Sequence, residues 1–176
     1  RPQKRGEEAL GALAGLPVTV VGVADDVLKA AGARHGSAEI LGRLDYGRTL
    51  HRIASSSVLI CNSVCEGFFL PALEAALLEV PLILRPLPEF RELWGDLPWY
   101  FDDDATLRHA LQLVLDRPDV ARARGMDLRR RALELELTID GLARRIHRIV
   151  AAQVGAAKLA VPPKRRWWQR VAGVLS

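Results

Sequence analysis

Two glutamates, Glu66 and Glu74, flank a loop and a predicted helix start, and their side chains suit the binding of a sugar. A carboxylate accepts hydrogen bonds, and the paired hydroxyls of a sugar donate them. The helix start between the two glutamates provides free N–H groups and the positive end of a helix dipole, which favour phosphate. Lys4 adds a flexible cation that can reach toward a phosphate. This combination suits a ligand with a central phosphate and a hydroxylated ring on each side.

The same residues also have ordinary structural interpretations. Glu66 is then a solvated loop residue, and Glu74 is an exposed residue of a helix. Lys4 and its neighbour Arg5 are then solvated charges at the entrance of a helix. Arg85 directly follows a predicted strand, so a position facing the cleft and a position on the surface are equally compatible with the sequence.

A strand–loop–helix–strand unit is predicted to position the two glutamates. Residues 58–61 (VLIC) have the length and composition of a buried parallel strand, and residues 82–84 (LIL) form a second one. Between them, residues 70–78 are rich in Leu and Ala, with Pro71 in the first turn of the predicted helix. In such units the ligand binds at the carboxyl ends of the strands.

The run EGFFLPALEAALLEVPLIL resembles the donor-binding signature of retaining GT-B glycosyltransferases of the family-four type. The residues that match the signature in register are Glu66, Gly67, Phe68, Leu70, Pro71, Glu74, Ala75 and Pro81. The resemblance implies that Glu66 is the catalytic residue at the donor sugar and that Glu74 holds the ribose. It also implies that the loop from Gly67 through Phe68 and Phe69 to Leu70 contacts the diphosphate.

Other segments extend the resemblance over residues 1–150. The run RPQKRG at residues 1–6 resembles the segment whose lysine grips the diphosphate, which implies a role for Lys4 with Arg5 beside it. The run ILGRLD at residues 40–45 resembles the turn at the nucleotide base, which implies contacts from Leu44 and Asp45. Residues 88–96 and 99–103 resemble later segments of the same family.

The resemblance implies a fold, a substrate and a partner. The fold is α/β, a Rossmann-like, mainly parallel sheet with helices on both faces, and it forms the C-terminal half of a GT-B enzyme. The substrate is a nucleotide diphosphate sugar, whose sugar is transferred with retention and without a metal or other cofactor. No strand precedes the first predicted helix, residues 6–13, so we expect the chain to be a fragment. The resemblance implies that an N-terminal acceptor-binding domain is missing, and we expect the fragment alone to be inactive.

Two residues depart from the family pattern. Phe69 and Glu79 stand where the family has glycine, which tolerates backbone conformations and close approaches that other residues resist. Phe69 would narrow the phosphate site, and Glu79 would disturb a turn. These departures favour one alternative function, a degenerate scaffold domain without donor binding. A second alternative is an epimerase-like or phosphorylase-like enzyme on the same fold.

The remaining elements are predicted from local patterns. A buried strand is expected at residues 18–23, a helix at residues 25–31 that ends at Gly32, and a short strand at residues 39–41. Helices are expected at residues 49–55 and 89–94, with an aromatic strand at residues 99–101. The acidic run at residues 102–104 is predicted to cap a helix at residues 106–115 rather than to bind a metal. Two further helices are expected at residues 120–137 and 139–154.

Composition favours a cytoplasmic protein that does not bind nucleic acid. The 176 residues are 49% hydrophobic and carry a net charge of +4, and basic residues gather only near the end of the chain. The two cysteines are interpreted as reduced thiols. We divide the chain into a donor-binding domain, residues 1–154, and a basic tail, residues 155–176. The segment from Lys164 to Ser176, KRRWWQRVAGVLS, pairs cations with tryptophans, which predicts peripheral binding to the anionic inner face of a membrane. Docking on the missing domain and disorder are the alternatives.

Overall fold

Strands and helices alternate along the chain. The computed structural model describes residues 4–138, 140, 141, 143, 144, 146 and 148. It contains two compact units, Arg1–Glu134 and Leu135–Ser176. The domain boundary predicted after residue 154 and the predicted tail lie outside the described residues, as does most of the helix predicted at residues 139–154.

The first unit contains every element discussed below. Its helices are α1 (Gly6–Ala12), α2 (Asp26–His35), α3 (Tyr46–Ala54), α4 (Leu70–Leu77), α5 (Pro88–Trp94), α6 (Asp104–Asp116) and α7 (Pro118–Glu134). Its strands are β1 (Val18–Val21), β2 (Ala38–Gly42), β3 (Leu59–Cys61), β4 (Leu82–Leu84) and β5 (Trp99–Tyr100).

All strand pairs in this unit are parallel, so the predicted α/β fold is confirmed. The strands form one sheet in the order β1-β2 and a second in the order β3-β4-β5. Each connection between paired strands contains a helix, as parallel pairing requires. The β3–β4 pairing places Cys61 opposite Leu84, so the residues that follow these two strands emerge side by side.

Strand β4 lies at the centre of the core. Its three residues, Leu82, Ile83 and Leu84, are each 0% exposed. Because successive side chains of a strand point to opposite faces, both faces of β4 are covered. Ile83 packs with residues of α1 and α6 on one of these faces, and α4 also contacts the strand. The predicted packing of helices on both faces is therefore confirmed for this strand.

Small residues allow α4 to pack closely against its neighbours. Ala72, Ala75 and Ala76 are at most 1% exposed. At the end of α4 the chain turns through Glu79, which has a φ of 61°. Arg129 of α7 donates a hydrogen bond to the Glu79 carboxylate at 2.6 Å. These contacts fix the end of the helix whose first turn faces the candidate site.

The structure corrects three predicted elements, namely β1, α2 and the start of α3. Strand β1 ends at Val21 and is not buried: its residues alternate between half-buried and exposed, because β2 is its one hydrogen-bonded neighbour among the described strands. Helix α2 continues through Gly32 to His35 and ends at Gly36, which has a φ of 79°. A Cβ atom at Gly32 would lie 2.7 Å from Cγ1 of Ile40, so this glycine serves packing rather than helix termination.

The start of α3 is also corrected. The helix begins at Tyr46 rather than at Thr49, because Asp45 caps it: the Asp45 carboxylate accepts a hydrogen bond from the backbone N–H of Arg48 at 2.9 Å. The other helices and strands of the first unit lie within a few residues of their predicted bounds.

Candidate functional site

Lys4 and Glu66 form an ion pair at the carboxyl end of β3. Lys4 lies just before α1, whereas Glu66 belongs to the loop between β3 and α4. The Glu66 side chain is 11% exposed and the Lys4 side chain is 38% exposed. A carboxylate this deeply buried needs a partner, and the ammonium group supplies one. The structure thus brings together the two residues predicted to face the sugar and the diphosphate.

Phe69 completes the surroundings of Lys4. The Lys4 Nζ atom lies 5.1 Å from the centroid of the Phe69 ring, within the range of a cation–π contact. The ring also contacts Phe90, with 6.0 Å between the centroids. Phe69 has a φ of −69°, which any residue adopts. The backbone at this position therefore does not require glycine, and the ring lies against the cation of the site. The narrowing of the phosphate site by Phe69 stays a prediction.

The first turn of α4 remains available to a ligand. Its N-cap residue, Phe69, provides no side-chain cap, and Pro71 occupies the first turn. Phe68 and Leu70 are 46% and 58% exposed. Pro71 has no N–H group, and the N–H of Ala72 donates to the carbonyl oxygen of Phe69 at 3.0 Å. The N–H of Leu70 and the helix dipole therefore give this end of α4 its partial positive charge. The loop predicted to contact a diphosphate therefore lies at the surface, beside the Lys4–Glu66 pair.

Gly67 has no evident structural requirement. It lies outside the left-handed region of backbone conformation. A Cβ atom at this position would meet no other atom within 4 Å. Neither backbone strain nor packing against the described residues explains the glycine, and it leaves open space against the loop. A close approach by a ligand is a third physical reason for a glycine.

Glu74 lies one turn further along α4 and is half-buried. Its carboxylate lies near the hydroxyl group of Tyr46, the first residue of α3, and this negative charge raises the pKa of Tyr46. The Tyr46 side chain is largely exposed. Tyr46 precedes the helix predicted at residues 49–55, and its proximity to Glu74 was not predicted. The signal available in the sequence was Asp45, because aspartate commonly caps helices and Tyr46 directly follows it.

The Asp45 carboxylate makes its contacts within α3. Besides capping the helix, its carboxylate pairs with the Arg48 side chain at 3.2 Å. Leu44 is half-buried beside it. A groove of about 400 Å³ begins just before these two residues, at the carboxyl ends of β1 and β2. Its lining includes Gly22, Val23, Gly42 and Arg43. The contact of this turn with a nucleotide base stays a prediction.

The Arg5 side chain pairs with a residue of α1 rather than with another candidate residue. Its guanidinium group lies 3.4 Å from the carboxylate of Glu8 on α1. The structure therefore joins Lys4 with Glu66 and Phe69, and Tyr46 with Glu74, but it gives Arg5 a partner on its own helix. The backbone of Arg5 has a φ of 45° and is held by a separate network that is described below.

The remaining polar groups near the site show no metal centre. Within the described residues, no group of three or more His, Cys, Asp or Glu side chains is arranged to hold a metal ion. Both cysteines are free thiols; Cys61 is buried, which raises its pKa, and Cys65 is exposed. No helix in the described part of the chain is long and apolar enough to cross a membrane.

Comparison with known proteins identifies glycosyltransferases. No family model matches the sequence. Over 52 residues, 30% of this chain, the sequence is 44% identical to serotype-specific mannosyltransferases WbdA of Escherichia coli. The match spans 6% of the length of those relatives.

The fold provides a second comparison. The structure aligns with the sucrose-phosphate synthase of Thermosynechococcus elongatus with a TM-score of 0.72 and 20% sequence identity. The alignment covers 86% of this chain and 44% of the synthase chain. The sequence comparison finds mannosyltransferases, and the structural comparison shows that the chain shares the GT-B fold of part of the synthase.

Proposed function

We propose that this chain is the donor-binding domain of a retaining glycosyltransferase that uses a nucleotide diphosphate sugar. The observation that carries the proposal is the meeting of Lys4 and Glu66 at the carboxyl end of β3, beside the first turn of α4. A cation and helix N–H groups suit a diphosphate, and a carboxylate next to them suits the hydroxyls of the attached sugar. The similarity to mannosyltransferases supports the same assignment.

The residues have distinct roles in this proposal. Transfer breaks the bond between the sugar and the diphosphate, and the electron pair of that bond stays on the diphosphate. Lys4, the N–H group of Leu70 and the dipole of α4 stabilise this charge without a metal. Glu66 orients the donor sugar, and Glu74 accepts hydrogen bonds from the ribose. The groove beside Arg43 takes the base. We assign binding of the acceptor to a separate domain; the chain itself aligns with 44% of the synthase chain.

The structure accommodates both departures that favoured a scaffold without donor binding. The Phe69 ring lies against Lys4 and Phe90 and has an ordinary backbone conformation. Glu79 has a positive φ, and its carboxylate pairs with Arg129. It lies at the opposite end of α4 from the loop. These contacts are compatible with donor binding, and a scaffold without donor binding stays the alternative that calorimetry distinguishes. An epimerase-like or phosphorylase-like activity has no specific observation in its favour.

Calorimetry tests the proposal directly. We expect the chain to bind at least one of ADP, GDP and UDP more tightly than the corresponding nucleoside. Because the matching relatives are mannosyltransferases, GDP-mannose is the first sugar nucleotide to test, with UDP-glucose as its comparison. Gly67→Ala is expected to weaken the diphosphates about tenfold, the loss that follows when a methyl group blocks a hydrogen bond to a charged group. Its thermal stability should be unchanged, because the added methyl meets no atom.

Gly11→Ala is the matched control for that substitution. Gly11 is an exposed helix residue, and a Cβ atom there also meets no atom within 4 Å. Its affinity for nucleotides should equal that of the parent protein. Failure of every nucleoside diphosphate to bind at millimolar concentration would exclude the proposed function, and unchanged affinity in Gly67→Ala would exclude the loop as the diphosphate site.

We also propose that the enzyme works in the cytoplasm at the inner face of a membrane, through the segment from Lys164 to Ser176. The support is its composition, since it lies outside the described residues. Each basic residue near an anionic surface contributes roughly 1 kcal/mol, and salt screens this attraction. We expect the chain to sediment with anionic vesicles at low salt and to be released at high salt. Sedimentation that is unaffected by deleting the segment would overturn this role.

A further inference from the structure

Asn62 and Arg85 connect the ends of β3 and β4 to two other segments of backbone. The Nε atom of Arg85 donates a hydrogen bond to Oδ1 of Asn62 at 2.7 Å. The amide nitrogen of Asn62 donates to the carbonyl oxygen of Arg5 at 2.9 Å. A second nitrogen of Arg85, Nη1, donates to the carbonyl oxygen of Asp102 at 2.9 Å. This chain of contacts, the Asn62–Arg85 bridge, ties four segments together at the carboxyl edge of the sheet.

The bridge places polar side chains where the carboxyl ends of β3 and β4 meet the rest of the fold. Asn62 is 7% exposed, and a buried amide or guanidinium group is unfavourable unless its hydrogen bonds are made. Each outer bond of the bridge ends on a backbone carbonyl, so the bridge fixes the path of the main chain. At Arg5 the path is strained, because a φ of 45° lies in the left-handed region that residues with a side chain resist. The Arg5 carbonyl also accepts a hydrogen bond from the backbone N–H of Ala9 at 3.1 Å, so the Asn62 amide and helix α1 together hold Arg5 in a conformation that the chain alone disfavours.

The fixed residue directly follows Lys4. The Lys4 side chain extends from this point to Glu66 and over the ring of Phe69. A free lysine has many rotamers, and a ligand that binds it must order them. Fixing the backbone at the next residue restricts the positions that the Lys4 ammonium can reach. The geometry of the bridge therefore acts on the cation of the candidate diphosphate site.

We propose that Asn62 and Arg85 are positioning residues, which hold Lys4 in place to bind the diphosphate of a nucleotide sugar. This inference rests on the proposed function. Neither residue needs to touch the ligand. Removing the bridge should leave Lys4 present but less well placed, so the contribution of the diphosphate to affinity should fall while the contribution of the nucleoside should remain.

A double-mutant cycle on the whole chain tests this role. Affinities for UDP, GDP and ADP and for their nucleosides are measured in the parent protein, Asn62→Ala, Lys4→Ala and the double variant. Asn62→Ala should weaken the diphosphates about 2- to 10-fold, the range expected when one long side chain must be ordered on binding. The nucleosides should bind as before. In the Lys4→Ala background, Asn62→Ala should cause no further loss, because the residue acts through Lys4.

Two more variants separate positioning from stability. Leu111→Ala removes a buried side chain from α6, so it lowers stability but should leave the ratio of diphosphate to nucleoside affinity unchanged. Arg85→Lys keeps the charge, but one ammonium group cannot reach both Asn62 and the Asp102 carbonyl. Like Asn62→Ala, it should weaken the diphosphates and leave the affinity for nucleosides unchanged. It also provides the test if Asn62→Ala does not fold.

The outcomes distinguish the two proposals. Equal weakening of nucleosides and diphosphates, or an undiminished effect of Asn62→Ala in the Lys4→Ala background, would overturn the positioning role while the proposed function stands. Absence of diphosphate binding by the parent protein would overturn both.

Discussion

The carbonyl oxygen of Glu79 lies 2.0 Å from the position that a Cβ atom on Gly125 would occupy. Gly125 belongs to α7, and Glu79 follows the last turn of α4. No side chain fits in this space, so the glycine lets the two helices pack together. The contact fixes the end of α4 opposite to the candidate diphosphate site, and the position of that helix depends on it.

Gly125→Ala should therefore destabilise the protein. The methyl group would meet backbone rather than a flexible side chain, so α7 must shift, and overpacking of this kind costs about 1–3 kcal/mol. Urea unfolding measures the free energy. Gly11→Ala is the control, because that helical glycine faces open space, and there alanine should stabilise by about 0.5–1 kcal/mol. Equal stabilities for the parent protein and Gly125→Ala would show that α7 does not rest on this carbonyl.

The backbone at Glu79 gives a second prediction. Its φ of 61° is unfavourable for a residue with a side chain, and its carboxylate pairs with Arg129 on the surface. Glu79→Ala removes the ion pair and keeps the strained conformation, whereas Glu79→Gly removes both. We expect the glycine variant to be more stable than the alanine variant by about 1 kcal/mol in the same urea assay. The reverse order would mean that the turn is not strained.

Glu74 is expected to contribute to nucleotide binding through the ribose. Glu74→Ala should weaken both nucleosides and nucleoside diphosphates by about 1–3 kcal/mol, the usual loss for a hydrogen bond to a charged group. Lys4→Ala should weaken the diphosphates alone, so calorimetry with both ligand types distinguishes the two residues. Glu92→Ala, at an exposed position of α5, is the control and should bind normally. Unchanged affinity in a folded Glu74→Ala variant would remove Glu74 from the site.

Tyr100 should make stability depend on pH in the alkaline range. Its hydroxyl lies 2.8 Å from the carbonyl oxygen of Gly95 and 3.2 Å from that of Phe90. Burial raises the pKa of Tyr100 from 10.0 to about 12. The unfolded chain therefore ionises first, so the contribution of Tyr100 is complete below pH 10 and is lost as the pH rises toward 12.

Tyr100→Phe tests this dependence, because phenylalanine cannot ionise. Thermal unfolding between pH 9 and about 12 should show a steeper decline in the parent protein than in the variant. Parallel declines would show that the hydroxyl ionises equally in the folded and unfolded states. Other tyrosines and lysines titrate in both proteins, so the difference between the two curves is the relevant quantity.

Local signals in the sequence were sufficient for most elements of the fold. The apolar runs of β3 and β4 and the Leu- and Ala-rich helix between them lie where periodicity and composition predict them. The predicted cap before α6 is confirmed. The Asp103 carboxylate accepts a hydrogen bond from the backbone N–H of Thr106 at 2.8 Å, and this bond lowers the pKa of Asp103. A cap involves neighbours three residues apart, so its signal is local.

Contacts between segments that are distant in sequence could not be predicted from local patterns. Lys4 and Glu66 are 62 residues apart, and each was predicted to face a ligand rather than the other. Tyr46 approaches Glu74 because of how α3 and α4 pack together, which depends on side chains along both helices. Gly32 resembles a helix end in sequence, yet it is needed where Ile40 packs on α2. The class of fold follows from local patterns, whereas these partners follow from tertiary packing.

The pairing of Lys4 with Glu66 also has a consequence for the way a nucleotide would exchange counter-ions with the site. A diphosphate that reaches Lys4 meets a cation whose charge is already balanced by an internal anion. It competes with that carboxylate rather than with dissolved chloride. Binding then releases few small ions to the solution, and affinity should fall only slightly as the salt concentration rises. In a Glu66→Gln variant, dissolved anions would balance the charge of Lys4. The affinity for the diphosphate would then depend strongly on the salt concentration.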